Sequence, residues 1–288
     1  MNRKVVLRSA VAKAYRVRAK HSHGLDSPLD PIDLILAEGL EVRFDALASL
    51  EGTYIQQTSP PTILLSSVRP RGRVNFTASH ELGHHAHGHG TKLDEYLGHP
   101  DTGERTLEES VADTFAAFLL MPERALIHQA KMRSIRLATI SHLEAFKLAC
   151  QFGVGYGTLV NHLSVALNLI STRKREDLAR HSLKTMKAEY GLSSSPGEIV
   201  WIDHSWNSVP INLRIGDILL SGDRLSHHPL CEEVAHADSG EVVFAYRACA
   251  TGIAQVCCGS CWSAFVRVSA PQYVGRAIHR HLPAGDGE

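Results

Sequence analysis

The hydrophobic pattern changes character several times along the chain. A helical pattern with inward Val6, Ala10, Ala14 and Val17 opens the sequence. Three short strand-like segments follow, at residues 40–44, 52–56 and 62–67. Helical spacing then dominates residues 74–90, 105–122 and 125–170, and strand-like alternation returns from residue 198 onward. The pattern predicts an α+β fold in which a small sheet precedes two central helices and the C-terminal part is rich in β-strands.

Changes in composition suggest three parts for the 288 residues. Residues 1–125 hold the first sheet and the two central helices. Residues 126–190 are helical in pattern and include a charged helix at 172–188, and a Gly- and Ser-rich stretch separates them from residues 197–288. The last part has the size typical of a sensor or interaction module, so we expect a regulatory β-rich domain there.

One helix of the first part carries a pattern with specific chemistry. Residues 74–90 contain no proline and include His80-Glu81-Leu82-Gly83-His84. Histidines four residues apart lie on one helical face, so both imidazoles can reach one zinc ion. Glu81 can face the same ion without binding it, where it can take a proton from metal-bound water. The motif therefore predicts His80 and His84 as ligands and Glu81 as the catalytic base.

Zinc needs a third protein ligand and an open position for water. A further histidine six residues after His84 would provide one, but position 90 is Gly90, so that extension fails. The following helix carries Glu109 and Asp113 on a stripe of small residues, which would let it approach the histidine helix closely. This predicts Glu109 as the third ligand and Asp113 as the acceptor for the N–H of a ligating imidazole.

These motifs together resemble the ImmA/IrrE family of zinc metallopeptidases. The resemblance covers about residues 5–125 and fades through about residue 170. It is carried by three motifs, which are Arg73-x-x-Phe76-Thr77, His80-Glu81-x-x-His84 and Glu109-x-x-Ala112-Asp113-x-Phe115-Ala116-Ala117-x-Leu119-Leu120-Met121-Pro122. Family members usually have Asn at the position of Asp113, and Asp can accept the same hydrogen bond. The resemblance implies a zincin-like domain that makes a site-specific cut in a helix-turn-helix transcriptional repressor, relieving repression in a stress or mobile-element response.

A peptidase cleft of this kind would hold extended substrate along a sheet edge. The strand at residues 62–67 is the expected edge, so main-chain pairing to Thr62, Leu64 and Ser66 would position the peptide across the metal. The group that stabilises the oxyanion stays open between Tyr54 and the histidines at positions 85 to 89.

Two further groups of metal-ligand residue types allow alternatives. His85, His87 and His89 could form a second metal site, but a solvated histidine face is the expected reading. In the C-terminal part, Cys257, Cys258 and Cys261 could form a metal or redox site completed by Cys231, Cys249, His227 or His228. The alternative for the cysteines is that they are small buried residues of a β core.

The segment 142–169 has helix-turn-helix form, with glycines between its two helices. Its second helix lacks Lys and Arg, so direct DNA binding is not expected, because little would neutralise the phosphates. The alternative to the peptidase is nevertheless a DNA-binding regulator whose metallopeptidase-like domain senses zinc without proteolysis.

Charge and composition limit the partners and the cellular compartment that the sequence predicts for this chain. The formal net charge is +0, so no overall field favours nucleic acid or membrane as a partner. Residues 1–20 are basic without acids, which is typical of a mitochondrial transit peptide, but an amphipathic first helix is the preferred interpretation. We therefore expect a cytoplasmic protein with reduced cysteines and no membrane span.

Overall fold

The computed structural model describes residues 3–90, 106–207, 209–234 and 243–283. It is a mixed α+β chain that divides into two compact units. The first comprises residues 1–128, 152–154 and 274–277, and the second comprises residues 129–151, 155–273 and 278–288. The expected start of a helix at Arg105 and of a strand at Val242 lie outside the described residues. The three-part division by function stays a prediction.

The first unit combines helices with one four-stranded sheet. Its helices are α1 (Arg3–Lys20), α2 (Pro31–Ala37), α3 (Arg71–His87), α4 (Leu107–Leu120) and the beginning of α5 (Glu123–Met132). Its strands are β1 (Glu41–Asp45), β2 (Gly52–Ile55), β3 (Thr62–Ser66) and β11 (Gly275–Arg276). The strand order is β11-β1-β3-β2, so the predicted small sheet is present with one additional strand from late in the chain.

The expectation that residues 62–67 form the sheet edge is wrong. β3 pairs in parallel with β1 and antiparallel with β2, so its main-chain groups are used on both sides. β3 is the most apolar strand of this sheet, with both Ile63 and Leu65 fully buried. An apolar segment of this kind favours the interior of a sheet, and β2 takes the outer position instead.

The first helix packs against α4 through small residues. Ala10 and Ala14 are fully buried, and Val6 and Val17 are partly buried against the same core, as the pattern predicts. Arg18 is also fully buried, where its guanidinium donates to the carbonyl of Leu119 at 2.6 Å and to the carbonyl of Gly24. This side chain ties α1 to the last turn of α4, whose carbonyls have no partner within the helix.

The helical part of the second unit follows the predicted helix-turn-helix form. α6 (His142–Gln151) and α7 (Tyr156–Asn161) flank a turn, and α7 continues as a π-helical turn over His162–Ala166. The predicted single helix at 172–188 is instead two helices, α8 (Thr172–Leu178) and α9 (Leu183–Glu189). The break arises because the Ser182 side chain caps α9 by accepting a hydrogen bond from the backbone N–H of Thr185.

The β-rich part of the second unit contains two sheets around one core. Its strands are β4 (Ile199–Ile202), β5 (Ile211–Arg214), β6 (Ile218–Ser221), β7 (Cys231–Val234), β8 (Phe244–Ala248), β9 (Gly252–Cys258) and β10 (Trp262–Ser269). One sheet has the order β5-β10-β9 and the other β4-β6-β8-β7. The predicted β-rich character is confirmed. Across the residues that the structure describes, no helix is both long and apolar enough to cross a membrane.

Candidate metal centre

Helix α3 presents its two motif histidines on one face. Pro70 precedes its first turn, and Gly88 ends it in the left-handed conformation, with φ of 70°. The four-residue spacing brings the Nε2 atoms of His80 and His84 to 3.0 Å from each other. His84 is the more buried of the two, with 6% of its side chain exposed against 16% for His80.

Helix α4 places Glu109 opposite these two nitrogens. The hydroxyl of Thr106 caps the helix by accepting a hydrogen bond from the Glu109 N–H, which fixes this residue in the first turn. Glu109 Oε2 lies 3.1 Å from His80 Nε2, and Oε1 lies 3.3 Å from His84 Nε2. Ligand atoms of the three residues all fall within 4.8 Å of one another. Two imidazoles and a carboxylate at these separations could hold a metal ion, and they are a donor set that zinc accepts.

The close approach of α4 depends on Gly83, which lies between the two histidines. A Cβ atom added to Gly83 would lie 3.1 Å from Ala112 Cα and 3.3 Å from the Ala112 carbonyl oxygen. Both contacts are with backbone, so the added methyl could be accommodated only if the two helices moved apart. The residue at this position therefore sets the distance from Glu109 to the histidines.

We expect Gly83→Ala to weaken metal binding and to reduce the free energy of unfolding by roughly 1–3 kcal/mol, because overpacking separates α3 from α4. Zinc titration and urea unfolding measure the two effects. Gly157→Ala in α7 is the matched control, since a Cβ there meets nothing within 4 Å. Unchanged zinc affinity in Gly83→Ala would show that the spacing of the helices does not set the site.

Asp113 lies one turn after Glu109 and contacts the other nitrogen of His80. Its Oδ1 is 3.0 Å from His80 Nδ1, which is the arrangement expected of an acceptor that orients a ligating imidazole. Burial disfavours the charged imidazole, but the hydrogen bonds with Asp113 and Glu109 outweigh it and raise the pKa of His80 to about 9. Hydrogen bonds from His80 and His84 hold the pKa of Glu109 far below its usual value. The carboxylates of this pocket therefore favour a positive charge at the histidine nitrogens.

We expect Asp113→Ala to lower zinc affinity about 10- to 100-fold, because the imidazole of His80 loses the partner that fixes its orientation. Asp113→Asn should lose much less, since an amide oxygen can accept the same hydrogen bond. Competition with a colorimetric chelator measures both affinities. Equal losses in the two variants would assign the effect to the charge of Asp113 and not to the hydrogen bond.

The three later histidines are half-buried and each contacts a polar neighbour, so their interpretation as a solvated face is wrong. His89 Nδ1 lies 3.0 Å from His84 Nδ1, and His85 Nδ1 lies 2.8 Å from the hydroxyl of Tyr54. His87 Nδ1 lies 2.9 Å from the carbonyl of Gly83. Within the described ranges, these three residues do not form a metal-binding group of their own.

Glu81 is buried beside the ligands and is held by the sheet. Burial raises the pKa of its carboxyl group, although His80, His84 and a hydrogen bond from the backbone of Tyr54 act in the opposite direction. The Tyr54 N–H donates that hydrogen bond from β2, the strand next to α3. A carboxyl group with a raised pKa beside a metal site has the properties of a group that takes up and releases a proton.

The residues predicted to bind substrate do not lie on an accessible edge. Thr62 and Ser66 are buried and Leu64 is half-buried, all within the interior strand β3. The outer strand near the site is β2. The Ser66 N–H donates to the carbonyl of Glu51, so these two residues form a hydrogen-bonded pair of the antiparallel ladder. Such pairs alternate along the strand with pairs that are not hydrogen-bonded, so the backbone N–H and C=O groups of Gly52 and Tyr54 point away from β3.

The five cysteines of the β-rich part lie on and around β7 to β10. Cys231 is buried and Cys249 and Cys261 are exposed, and burial raises the pKa of Cys231 to about 12. Cys258 and Cys261 flank the β9–β10 turn, with the Cys261 N–H donating to the Cys258 carbonyl at 3.0 Å. Among the residues described, no group of three metal ligands includes Cys257, Cys258 or Cys261. A redox role for the pair stays a prediction.

Comparisons with known proteins match the segment that contains the candidate metal centre. Residues 37–164 match the family model of the IrrE N-terminal-like domain, Peptidase_M78. No curated protein matches the sequence. A solved structure of a Mycobacterium tuberculosis transcriptional regulator is similar at 17% identity with a TM-score of 0.39, and the match covers 55% of this chain and 46% of that chain.

Proposed function

We propose that this chain, whose residues 37–164 match the family model of the IrrE N-terminal-like domain, is a zinc-dependent endopeptidase of the ImmA/IrrE family that cuts a helix-turn-helix repressor at one site. The observation that carries the proposal is the convergence of His80, His84 and Glu109 beside the buried Glu81. Ligands and base come from two helices that pack closely, so the group is preorganised by the fold.

His80, His84 and Glu109 would hold the zinc ion, with Asp113 orienting the first imidazole. When bound, zinc supplies Lewis acidity, which lowers the pKa of water and polarises a peptide carbonyl. Two imidazoles and one carboxylate leave a coordination position open, as catalytic zinc sites require.

Glu81 carries the proton transfers of the reaction. Its carboxylate accepts a proton from the water whose oxygen attacks the scissile carbonyl carbon. As the C–N bond breaks, the same group donates that proton to the leaving amine, so peptide and water give an acid and an amine. Burial favours the protonated form of Glu81, while the Tyr54 N–H stabilises the carboxylate, and both states are used in each cycle.

The substrate segment would bind along β2 and not along β3. β2 is an outer strand, its Tyr54 N–H already contacts Glu81, and the backbone groups of Gly52 point in the same outward direction. An extended peptide added to this edge would pass directly beside the base and the ligands. A flexible loop between helices of a repressor can adopt that extended conformation, whereas a folded helix cannot.

The proposal is tested by incubating the zinc-loaded chain with a helix-turn-helix repressor encoded beside its gene, and separately with casein. We expect one cut in the repressor, identified by mass spectrometry, and no cut with Glu81→Gln. Efficient degradation of casein without preference for the repressor would indicate a general peptidase. Retention of zinc with no cleavage of either protein, together with a mobility shift of DNA, would favour the non-proteolytic regulator.

A further inference from the structure

A second group of metal-ligand side chains lies entirely within the second unit. It consists of His142 at the start of α6, His181 between α8 and α9, and Glu189 at the end of α9. One ligand atom from each falls within 4.8 Å of the others. The three residues come from three separate elements, so their convergence does not follow from helical spacing along any one of them.

The position of His142 is fixed by a capping box. The Ser141 side chain accepts a hydrogen bond from the Glu144 N–H at 3.2 Å, and Glu144 accepts one from the Ser141 N–H at 2.7 Å. His142 therefore stands in the first turn of α6, and the apolar residues Ala145 and Phe146 hold that turn in the core.

His181 and Glu189 are positioned by buried neighbours. The His181 N–H donates to the carbonyl of Leu178, a buried residue whose carbonyl also accepts from the Tyr156 hydroxyl at 3.0 Å. Glu189 ends α9, which is anchored through the fully buried Met186. The ligand framework is thus set by local caps and packing.

The side chains contact one another directly. His142 Nε2 lies 3.1 Å from both carboxylate oxygens of Glu189. The rings of His142 and His181 are stacked, with centroids 3.9 Å apart and planes at 4°. Two charged imidazoles would repel each other in this stack, and a single carboxylate cannot compensate both. A divalent ion would instead bind the two rings in their neutral form, beside the Glu189 carboxylate.

Solvent can reach this group of three side chains, and the nearby Lys187 directs its charge elsewhere than to the Glu189 carboxylate. The side chains of His142 and Glu189 are 25% and 34% exposed, so an ion can enter from solvent. Lys187, two residues before Glu189, directs its ammonium group to the carbonyls of Ser195 and Gly197. The charge of Glu189 therefore faces the two imidazoles.

We propose that His142, His181 and Glu189 form a second binding site for a first-row divalent transition ion, which clamps the start of α6 to the α8–α9 segment. Two imidazole nitrogens favour ions such as zinc over magnesium or calcium, which prefer all-oxygen ligands. The site lies outside the proposed peptidase centre, so its role is to stabilise the second unit when the ion is bound.

The experiment counts zinc ions by mass spectrometry under native conditions in the full chain. We expect two ions in the wild type, one in His80→Gln/His84→Gln, and none when His181→Gln or Glu189→Gln is added to that pair. His128→Gln, an exposed histidine on α5, is the matched control and should leave the count at one. Zinc, but not magnesium, should also raise the melting temperature of His80→Gln/His84→Gln, and this increase should vanish with Glu189→Gln.

Circular dichroism is used to check that each variant is folded. If either His181→Gln or Glu189→Gln unfolds the protein, the other substitution still tests the site. A count of zero in folded His80→Gln/His84→Gln would overturn the second site. A remaining ion that survives both His181→Gln and Glu189→Gln would do the same and would assign that ion to other residues, such as the cysteines. Either result leaves the proposed peptidase centre untouched.

Discussion

Glu81→Gln is expected to retain zinc and to lose about 10²- to 10⁴-fold in turnover, the usual cost of removing a general base. The amide has the same shape, so packing against α3 and β2 is kept. It cannot accept a proton from water and return it to an amine. The measurement is the initial rate of cleavage of the repressor, with zinc content determined on the same preparation.

Glu81→Asp separates the chemical role of this carboxylate from its position. It keeps the acid but withdraws it by one methylene from Tyr54 and the ligands, so we expect a rate between those of the wild type and Glu81→Gln. A Glu81→Gln enzyme that retained a tenth of wild-type turnover would remove this residue from the proposed mechanism. Loss of zinc in the same variant would instead mark Glu81 as a ligand.

Glu109→Gln is expected to weaken zinc binding more than about 100-fold, which exceeds the effect of removing an orienting partner alone. Both Glu109 oxygens lie within 3.3 Å of an imidazole nitrogen, so the carboxylate supplies the negative charge that the two histidines lack. A neutral amide offsets less of the charge of the ion. The affinity is measured by competition with a chelator, at fixed pH.

Glu108→Gln is the matched control, because it makes the same change on the neighbouring, exposed residue of α4. It should bind zinc like the wild type. A large loss in Glu108→Gln together with normal binding in Glu109→Gln would mean that the ligand set had been assigned to the wrong face of the helix.

The parts of this molecule that sequence predicts well are those fixed by local spacing. His80 and His84 share a face because four residues make about one helical turn. Glu109 and Asp113 repeat the same interval on α4, and the small residues around them allow the two helices to meet. The caps at Thr106 and Ser141 likewise arise from residues close in sequence, whereas the equally local Ser182 cap interrupts a segment that the pattern predicts as one helix.

The parts that sequence does not predict depend on pairing between distant segments. The short apolar run identifies β3 as a strand but does not say which strands lie beside it, so its partners do not follow from local spacing. The two residues of β11 are too few to show any periodicity. The group of His142, His181 and Glu189 has no spacing signal, because its members come together only after three helical segments have packed.

The pairing of β11 with β1 has a consequence for the order in which the molecule is made. Arg43 is aligned with Arg276, so the sheet beside the candidate metal centre receives this strand only after the segment from residue 46 to residue 274 has been synthesised. Until then the outer side of β1 is an unpaired edge, which other chains can recognise during translation. The first unit therefore completes its sheet only after residues 155–273 of the second unit have left the ribosome, although most residues of the first unit are made earlier.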